Sequence, residues 1–182
     1  MNKEVQKIKI NQSVVNTYSY LKANFSEEDF CSFLSDDCKL HCDFNGDIVL
    51  NYEKNFSYEE LKSEFEKISD SYGEKILKNI FDGKILNVDF KGYGELNLKN
   101  DLNNSSSSYV FNVHGDEENS HLVLCSEILG EGSQFNYFYN VNLKNNSKIT
   151  LVIFANSQAK GFIHVLGNCE NNSNIEVLFV NV

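Results

Sequence analysis

Cys31, Cys38, His41 and Cys42 fall within twelve residues of one another, and they are the densest set of metal-type ligands in the chain. Cys38-x-x-His41 has the short spacing by which a single loop offers two soft ligands to zinc or iron. Asp36, Asp37 and Asp43 stand close by and would add negative charge. A plainer reading competes with this one. Cys31 neighbours Phe30 and Leu34 on the apolar side of a predicted helix, and free cysteine packs as a small hydrophobe. If the segment is extended, the adjacent His41 and Cys42 point to opposite sides of it. Two further cysteines, Cys125 and Cys169, lie in the second half of the chain with His114, His121 and His164. The ordinary role of such residues is a buried inert thiol and an imidazole bonded to backbone.

Enzyme signatures are missing from the sequence. It holds no Gly-x-Ser-x-Gly, no phosphate-binding loop and no His-Glu-x-x-His. Gly130-Glu131-Gly132 has neither the third glycine nor the following helix of a dinucleotide loop. Among 26 acidic residues, no pair is marked by sequence as an acid–base couple. The expectation is a protein that is not an enzyme.

Composition narrows the classes further. The 182 residues carry a formal net charge of −10, and 41% are hydrophobic and 13% aromatic. A chain this size can bury a core, and this composition is not that of a disordered one. The acidic balance speaks against nucleic acid, whose phosphates require clustered Lys and Arg, and suits protein partners. The start, Met1-Asn2-Lys3-Glu4-Val5-Gln6-Lys7, has no apolar leader, and no run approaches the ~18 apolar residues of a membrane span. A cytoplasmic location is expected, with the five cysteines present as thiols or ligands rather than a disulfide framework. Proline and tryptophan are absent.

The elements that would position these residues divide the chain in two. Residues 1–82 read as an N-terminal helical region with one or two short strands. Lys7–Ile10 and Asp47–Leu50 have strand character. Val14, Val15, Tyr18 and Leu21 recur at helical spacing. Ser26 is placed to cap a helix running through Leu34, with Phe25 and Phe30 as its hydrophobic staple. The same grammar returns more strongly at Ser57 and Glu60. From there Leu61, Phe65, Ile68, Tyr72, Ile76, Ile80 and Phe81 form an apolar stripe that Gly83 closes.

Residues 83–182 read as strand after strand. Lys84–Phe90 and Gly94–Leu98 begin the series, and Phe135, Tyr137, Tyr139, Val141 and Leu143 alternate with polar residues at the two-residue period of a half-buried strand. Ile149–Phe154, Gly161–Leu166 and Ile175–Val180 are β-branched and aromatic. Asn145-Asn146-Ser147-Lys148-Ile149 is repeated 26 residues later as Asn171-Asn172-Ser173-Asn174-Ile175, and more loosely at Asn103-Asn104-Ser105. An Asn-rich corner, a strand and a return is the pattern of a stacked β architecture. Periodicity alone leaves an antiparallel meander or sandwich equally open. Helices first and strands after predict a mainly-β or α+β chain and argue against alternating βαβ units.

From Phe81 onward the sequence resembles the core of the SufB/SufD family, scaffold components of the SUF iron–sulfur cluster assembly system. Phe81-Asp82-Gly83-Lys84-Ile85-Leu86-Asn87-Val88 with Phe90-Lys91-Gly92-Tyr93 is similar to the family's apolar strand leading into a Pro-Lys-Gly-Val-type turn. His121-Leu122-Val123-Leu124-Cys125-Ser126-Glu127 is similar to the strand after its first acidic loop. The Asn-Asn-Ser-x-Ile corners resemble its Glu-Asn-Ala or Glu-Asn-Ser corners. The resemblance covers roughly the last hundred residues and implies a right-handed parallel β-helix in a SufD-like member. It implies as partners a SufB-type subunit and the SufC-type ATPase, and as cargo a transient Fe–S cluster, with Cys125, Cys169 and His164 as candidates for handling sulfur or cluster. Family members run on into more β-helix and C-terminal helices, so it also implies a shortened or split form, whose last strand would offer an edge for self-association. Two other readings stand beside the scaffold: a stand-alone β-solenoid interaction module without cluster chemistry, and a small metal-binding protein built on Cys31, Cys38, His41 and Cys42.

Overall fold

A computed structural model describes residues 5–10, 26–31, 40–56, 83–101, 106–130, 134–155 and 160–181. The predicted helices at 14–21 and 57–82, Cys38, and the Asn103-Asn104-Ser105 corner lie outside the described residues; Gly83, expected to close the second helix, begins a strand. Every described element is a strand: β1 (Val5–Ile10), β2 (Ser26–Cys31), β3 (Leu40–Phe56), β4 (Gly83–Asp101), β5 (Ser106–Gly115), β6 (His121–Leu129), β7 (Gln134–Leu143), β8 (Lys148–Ala155), β9 (Lys160–Cys169) and β10 (Asn174–Asn181). No helix among them is long and apolar enough to cross a membrane.

The helix expected from Ser26 is instead β2. It pairs antiparallel with β1, in a register that sets Lys7 opposite Asp29 and Lys9 opposite Glu27. Pairing with another strand outweighs a capping signal worth about 1 kcal/mol. The Asp47–Leu50 strand is part of the longer β3.

β4 to β10 build the body of the fold. β4 divides at Lys91-Gly92, where Gly92 takes a left-handed φ of 58°. Its first half, Lys84–Phe90, pairs parallel with β5, and its second, Tyr93–Asp101, pairs parallel with β6. β5 then pairs with β7 and β7 with β9, while β6 pairs with β8 and β8 with β10, all parallel. The chain therefore passes from one ladder (β4 first half, β5, β7, β9) to the other (β4 second half, β6, β8, β10) and back, each rung stacked on the one before. This parallel, solenoid-like arrangement excludes the antiparallel meander or sandwich for this region. Among the described residues, antiparallel pairing is confined to β1–β2 and to β3, which lies along β4.

The interior is read directly from the alternation. β6 and β8 are both buried at every second residue. Leu96, Leu124 and Leu151 stack in one column of the second ladder, each fully buried. Leu86, Phe111 and Tyr139 stack in the first, with the Phe111 and Tyr139 rings 4.7 Å apart and 18° from parallel. Polar groups inside are satisfied across the rungs, because a buried hydroxyl or amide without a partner is costly. Tyr139 donates to Ser126 Oγ at 2.8 Å, and the Asn100 amide donates to Ser107 Oγ at 3.0 Å and to the Tyr137 hydroxyl. The first ladder is also apolar on its other face, where Val110 and Phe138 are 2% and 3% exposed.

The corners between ladders use the Asn-Ser pairs for two separate jobs. Asn119, Asn146 and Asn172 hold left-handed φ of 63°, 59° and 60°, a conformation asparagine tolerates better than most residues. The serine that follows ties the rungs together: Ser120 Oγ and Ser147 Oγ both donate to the Glu117 carbonyl at 3.0 Å, and Ser173 Oγ donates to the Lys144 carbonyl. Backbone bonds complete the stack, Lys148 N–H to the Ser120 carbonyl at 2.8 Å and Asn174 N–H to the Ser147 carbonyl at 3.0 Å. Glu118-Asn119-Ser120 is thus a further corner of the repeat. Its signal, an Asn-Ser directly before a strand, was available in the sequence.

Candidate functional site

The residues that could do chemistry are spread over the fold. His41 and Cys42 are neighbours on β3, so their side chains leave opposite faces. Cys42 faces the interior and shares a hydrogen bond of 2.9 Å with the Tyr52 hydroxyl, while His41 is exposed. Burial pushes the Cys42 thiol and the Tyr52 phenol above their ordinary pKa ranges. Cys31 closes β2. Among the described residues, no three of His, Cys, Asp and Glu come together in a way that could hold a metal ion.

Cys125, Cys169 and His164 do not converge either. Cys125 sits on the outer face of β6, between Asn97 and Val152 in register. Its thiol is pushed up by partial burial and by nearby Glu127. Cys169 ends β9 in the interior column of Phe90, Gly115 and Leu143, but is exposed there, and its pKa is also raised by desolvation. Sulfur transfer works through thiolate, which asks for a lowered pKa. His164 lies on the outer face of β9 beside Phe138, and burial lowers its pKa to about 4. His121 meets Tyr93 edge-on at 5.6 Å, and His114 helps line a polar corner cleft with Asp116, Asn142, Lys144, Asn168 and Glu170.

What stands out in geometry is the last rung, β9 and β10. The interior columns keep their register into it, and burial falls: Ile163 and Ile175 are still partly buried against the core, while their neighbours along the interior face are exposed. Leu96, Leu124 and Leu151 are 0% exposed, and Val177, next in that column, is 46% exposed. Ile153 is buried, and Phe179 beside it is 58% exposed. Val165 follows the buried Tyr139 at 37%. The outward side of β10 is apolar too, with Leu178 and Val180 exposed. Among the described residues, no strand pairs with the free edges of β9 and β10.

An edge of this kind is ordinarily defended by Lys, Pro, a bulge or brevity. β10 has none of the first three. Its single charged residue, Glu176, is held by Lys148 at 2.8 Å, and Glu170 at the corner is held by Lys144 at 3.0 Å. The rung is therefore apolar in its interior and locally neutral around it. In the sequence the alternation of β10 was legible, but its exposure was not, since the same pattern serves a buried rung and an open one.

Comparison of the chain with protein-family models, with curated proteins and with solved structures finds no match.

Proposed function

We propose that this chain is a non-catalytic assembly scaffold built on a parallel β-helix. In its most specific form it is a SufD-like component of iron–sulfur cluster assembly in the cytoplasm, acting with a SufB-type subunit and a SufC-type ATPase, with the cluster as cargo. The observation that carries the scaffold reading is the continuous parallel stacking of β4 to β10 in two ladders, along which Cys125, Cys169 and His164 are spread rather than gathered into one site. The specific form is supported by the resemblance from Phe81 onward and by the parallel stacking of strands over that same region.

The test is an anaerobic affinity pull-down from the native cytoplasm, with bound proteins identified and iron and sulfide assayed. Recovery of a SufC-type ATPase or a SufB-type subunit supports the specific form. Absence of both, with no iron, sinks it.

A stand-alone β-solenoid interaction module without cluster chemistry is the second reading, favoured by one observation. Cys125 and Cys169 lie on different faces and both have raised pKa values, the wrong direction for a sulfur-carrying thiolate in the chain by itself. Replacing each with serine separates the two readings. The module keeps its partner through both changes, while the cluster scaffold loses iron or sulfide from the recovered complex.

A further inference from the structure

We propose that Asn45 is a self-modifying site: its side-chain amide is lost to attack by the Gly46 backbone nitrogen, and the isoaspartate that results releases the first part of β3 from β4. The inference is independent of the scaffold reading and of the SUF assignment.

Asn45-Gly46 is the one Asn-Gly pair in the sequence. The reaction needs the asparagine side chain to fold back over the next peptide nitrogen, and a glycine there has no Cβ to obstruct it. The Gly46 nitrogen bonds to Asn45 Cγ, the Cγ–Nδ2 bond breaks, and the proton from that nitrogen leaves with the amide as ammonia. Water then opens the five-membered imide. Cleavage at Cγ gives aspartate, and cleavage at the main-chain carbonyl carbon gives isoaspartate, with the chain now running through Cγ. Water is the only co-reactant.

The surroundings leave the pair free to react. Both residues are exposed, and among the described residues nothing hydrogen-bonds the Asn45 side chain. The pair also stands where the β3–β4 ladder is interrupted. Gly46 faces Gly94 and Asp47 faces Lys91, so that Gly92 and Tyr93 are passed over in the register.

The Asn-Ser corners are the nearest competitors among the described residues, and the fold protects them. In each, the nitrogen that would attack is already donating: Ser120 N–H to Ser147 Oγ at 3.3 Å, Ser147 N–H to the Lys144 carbonyl at 3.1 Å, and Ser173 N–H to the Glu170 carbonyl at 3.2 Å. Asn172 and Asn146 are further tied to each other through their side chains at 3.1 Å.

The consequence falls on the strand that closes the coil. Isoaspartate adds one carbon to the backbone, about 1.5 Å of extra chain, and so displaces the β3 register on one side of it. It also adds a negative charge to the present −10, opposite Glu95 and on the face of β3 that carries Asp43 and Asp47. Like charges facing across strands weaken pairing. Ile48, 7% exposed, holds the later part of β3 in the core, whereas Phe44 is 47% exposed. The part that lets go is therefore Leu40–Phe44.

The test is to age the full chain at neutral and at mildly alkaline pH, follow each asparagine by mass-spectrometric peptide mapping with isoaspartate resolved from aspartate, and measure hydrogen exchange on the same samples. Asn45 should convert at least tenfold faster than Asn119, Asn146 or Asn172, and faster at the higher pH, because the attacking nitrogen must lose its proton. Exchange should rise in Leu40–Phe44 as conversion proceeds, with β7 and β8 unaffected. Asn45→Gln, which would have to close a six-membered ring, should hold β3 exchange constant over the same period. Freshly purified Asn45→Asp, which has the charge without the extra carbon, should loosen β3 less than ageing does. An Asn45 that stays an amide as long as the corner asparagines overturns the proposal. So does conversion that leaves β3 exchange unchanged, or loosening that proceeds equally in Asn45→Gln. Equal loosening in fresh Asn45→Asp overturns the part assigned to the added carbon.

Discussion

The two ends of the coil solve the same problem in opposite ways. At one end β3 runs antiparallel along the whole of β4 and turns with it from one ladder to the other, through the register pair Gly46 and Gly94. Gly46 has φ 102°, and a Cβ there would lie 2.5 Å from the Tyr93 carbonyl oxygen. The bend thus depends on a residue without a side chain. It allows Cys42 and Tyr52, ten positions apart in one strand, to hydrogen-bond at the mouth of the interior. Two bulges and exposed acids then make β3 a poor template for another strand. At the other end β9 and β10 continue the parallel stacking without bulge or change of direction. The comparison teaches what capping a stack takes: β3 reverses direction and breaks register, while β9 and β10 keep the parallel, unbroken register of the rungs before them.

The largest expected effect contrasts an interior column with its own open end. Phe111→Ala should lower the unfolding free energy by about 3–5 kcal/mol, since the ring is fully buried between Leu86 and Tyr139. Val165→Ala, two rungs along the same column and 37% exposed, should cost under about 1 kcal/mol in the monomer. Urea denaturation of the two variants measures both, and equal losses would mean that the last rung is as well packed as the rest.

His164 gives the open end a pH dependence. Its folded pKa, lowered to about 4 by burial, lies below the ordinary value of 6.5, so the unfolded chain binds the proton more readily. Its contribution is neutral above pH about 6.5 and becomes a penalty as pH falls toward 4, approaching ~3 kcal/mol. His164→Phe should remove that slope from a series of urea melts between pH 7 and 4. A slope that persists would place the titration elsewhere.

Gly46→Ala attacks the closed end. With a positive φ and a backbone oxygen in the way, it should cost about 1–3 kcal/mol and loosen β3 from β4. Hydrogen exchange would show the loss as faster exchange in β3, with β7 and β8 unaffected.

The smallest effect concerns the corners. Asn146→Ala and Asn172→Ala each lose tolerance of a left-handed φ, at a cost of about 1 kcal/mol. If that local term is the whole story, the two melting shifts match. A larger shift at Asn146 would show that the side-chain bond from Asn172 Nδ2 to Asn146 Oδ1, 3.1 Å long, and the neighbours on both sides of that corner contribute as well.

Much of this architecture was legible. The alternation of Phe135 to Leu143, the Asn-Asn-Ser corners 26 residues apart and the β-branched runs marked the strands and their stacking, because a strand's side-chain period and a corner's φ are local properties. Ser26 misled for an equally plain reason: a capping pattern is a weak local preference, and β2 forms because β1 is there to pair with it. The candidate site was less legible. Cys125 and Cys169 look equivalent as letters, yet one lies outside the second ladder and the other at an interior position of the open rung.

By itself, the sequence determined where strands run, which residues alternate inward, and where the chain can turn through a left-handed asparagine. Those follow from the covalent geometry of each residue and its near neighbours. Only the tertiary structure decided that the ladders are parallel, that β3 closes one end, and that Val177 and Phe179 are left exposed at the other. Pairing direction and burial depend on strands far apart in the chain, and an apolar residue carries the same letter whether another layer covers it or not.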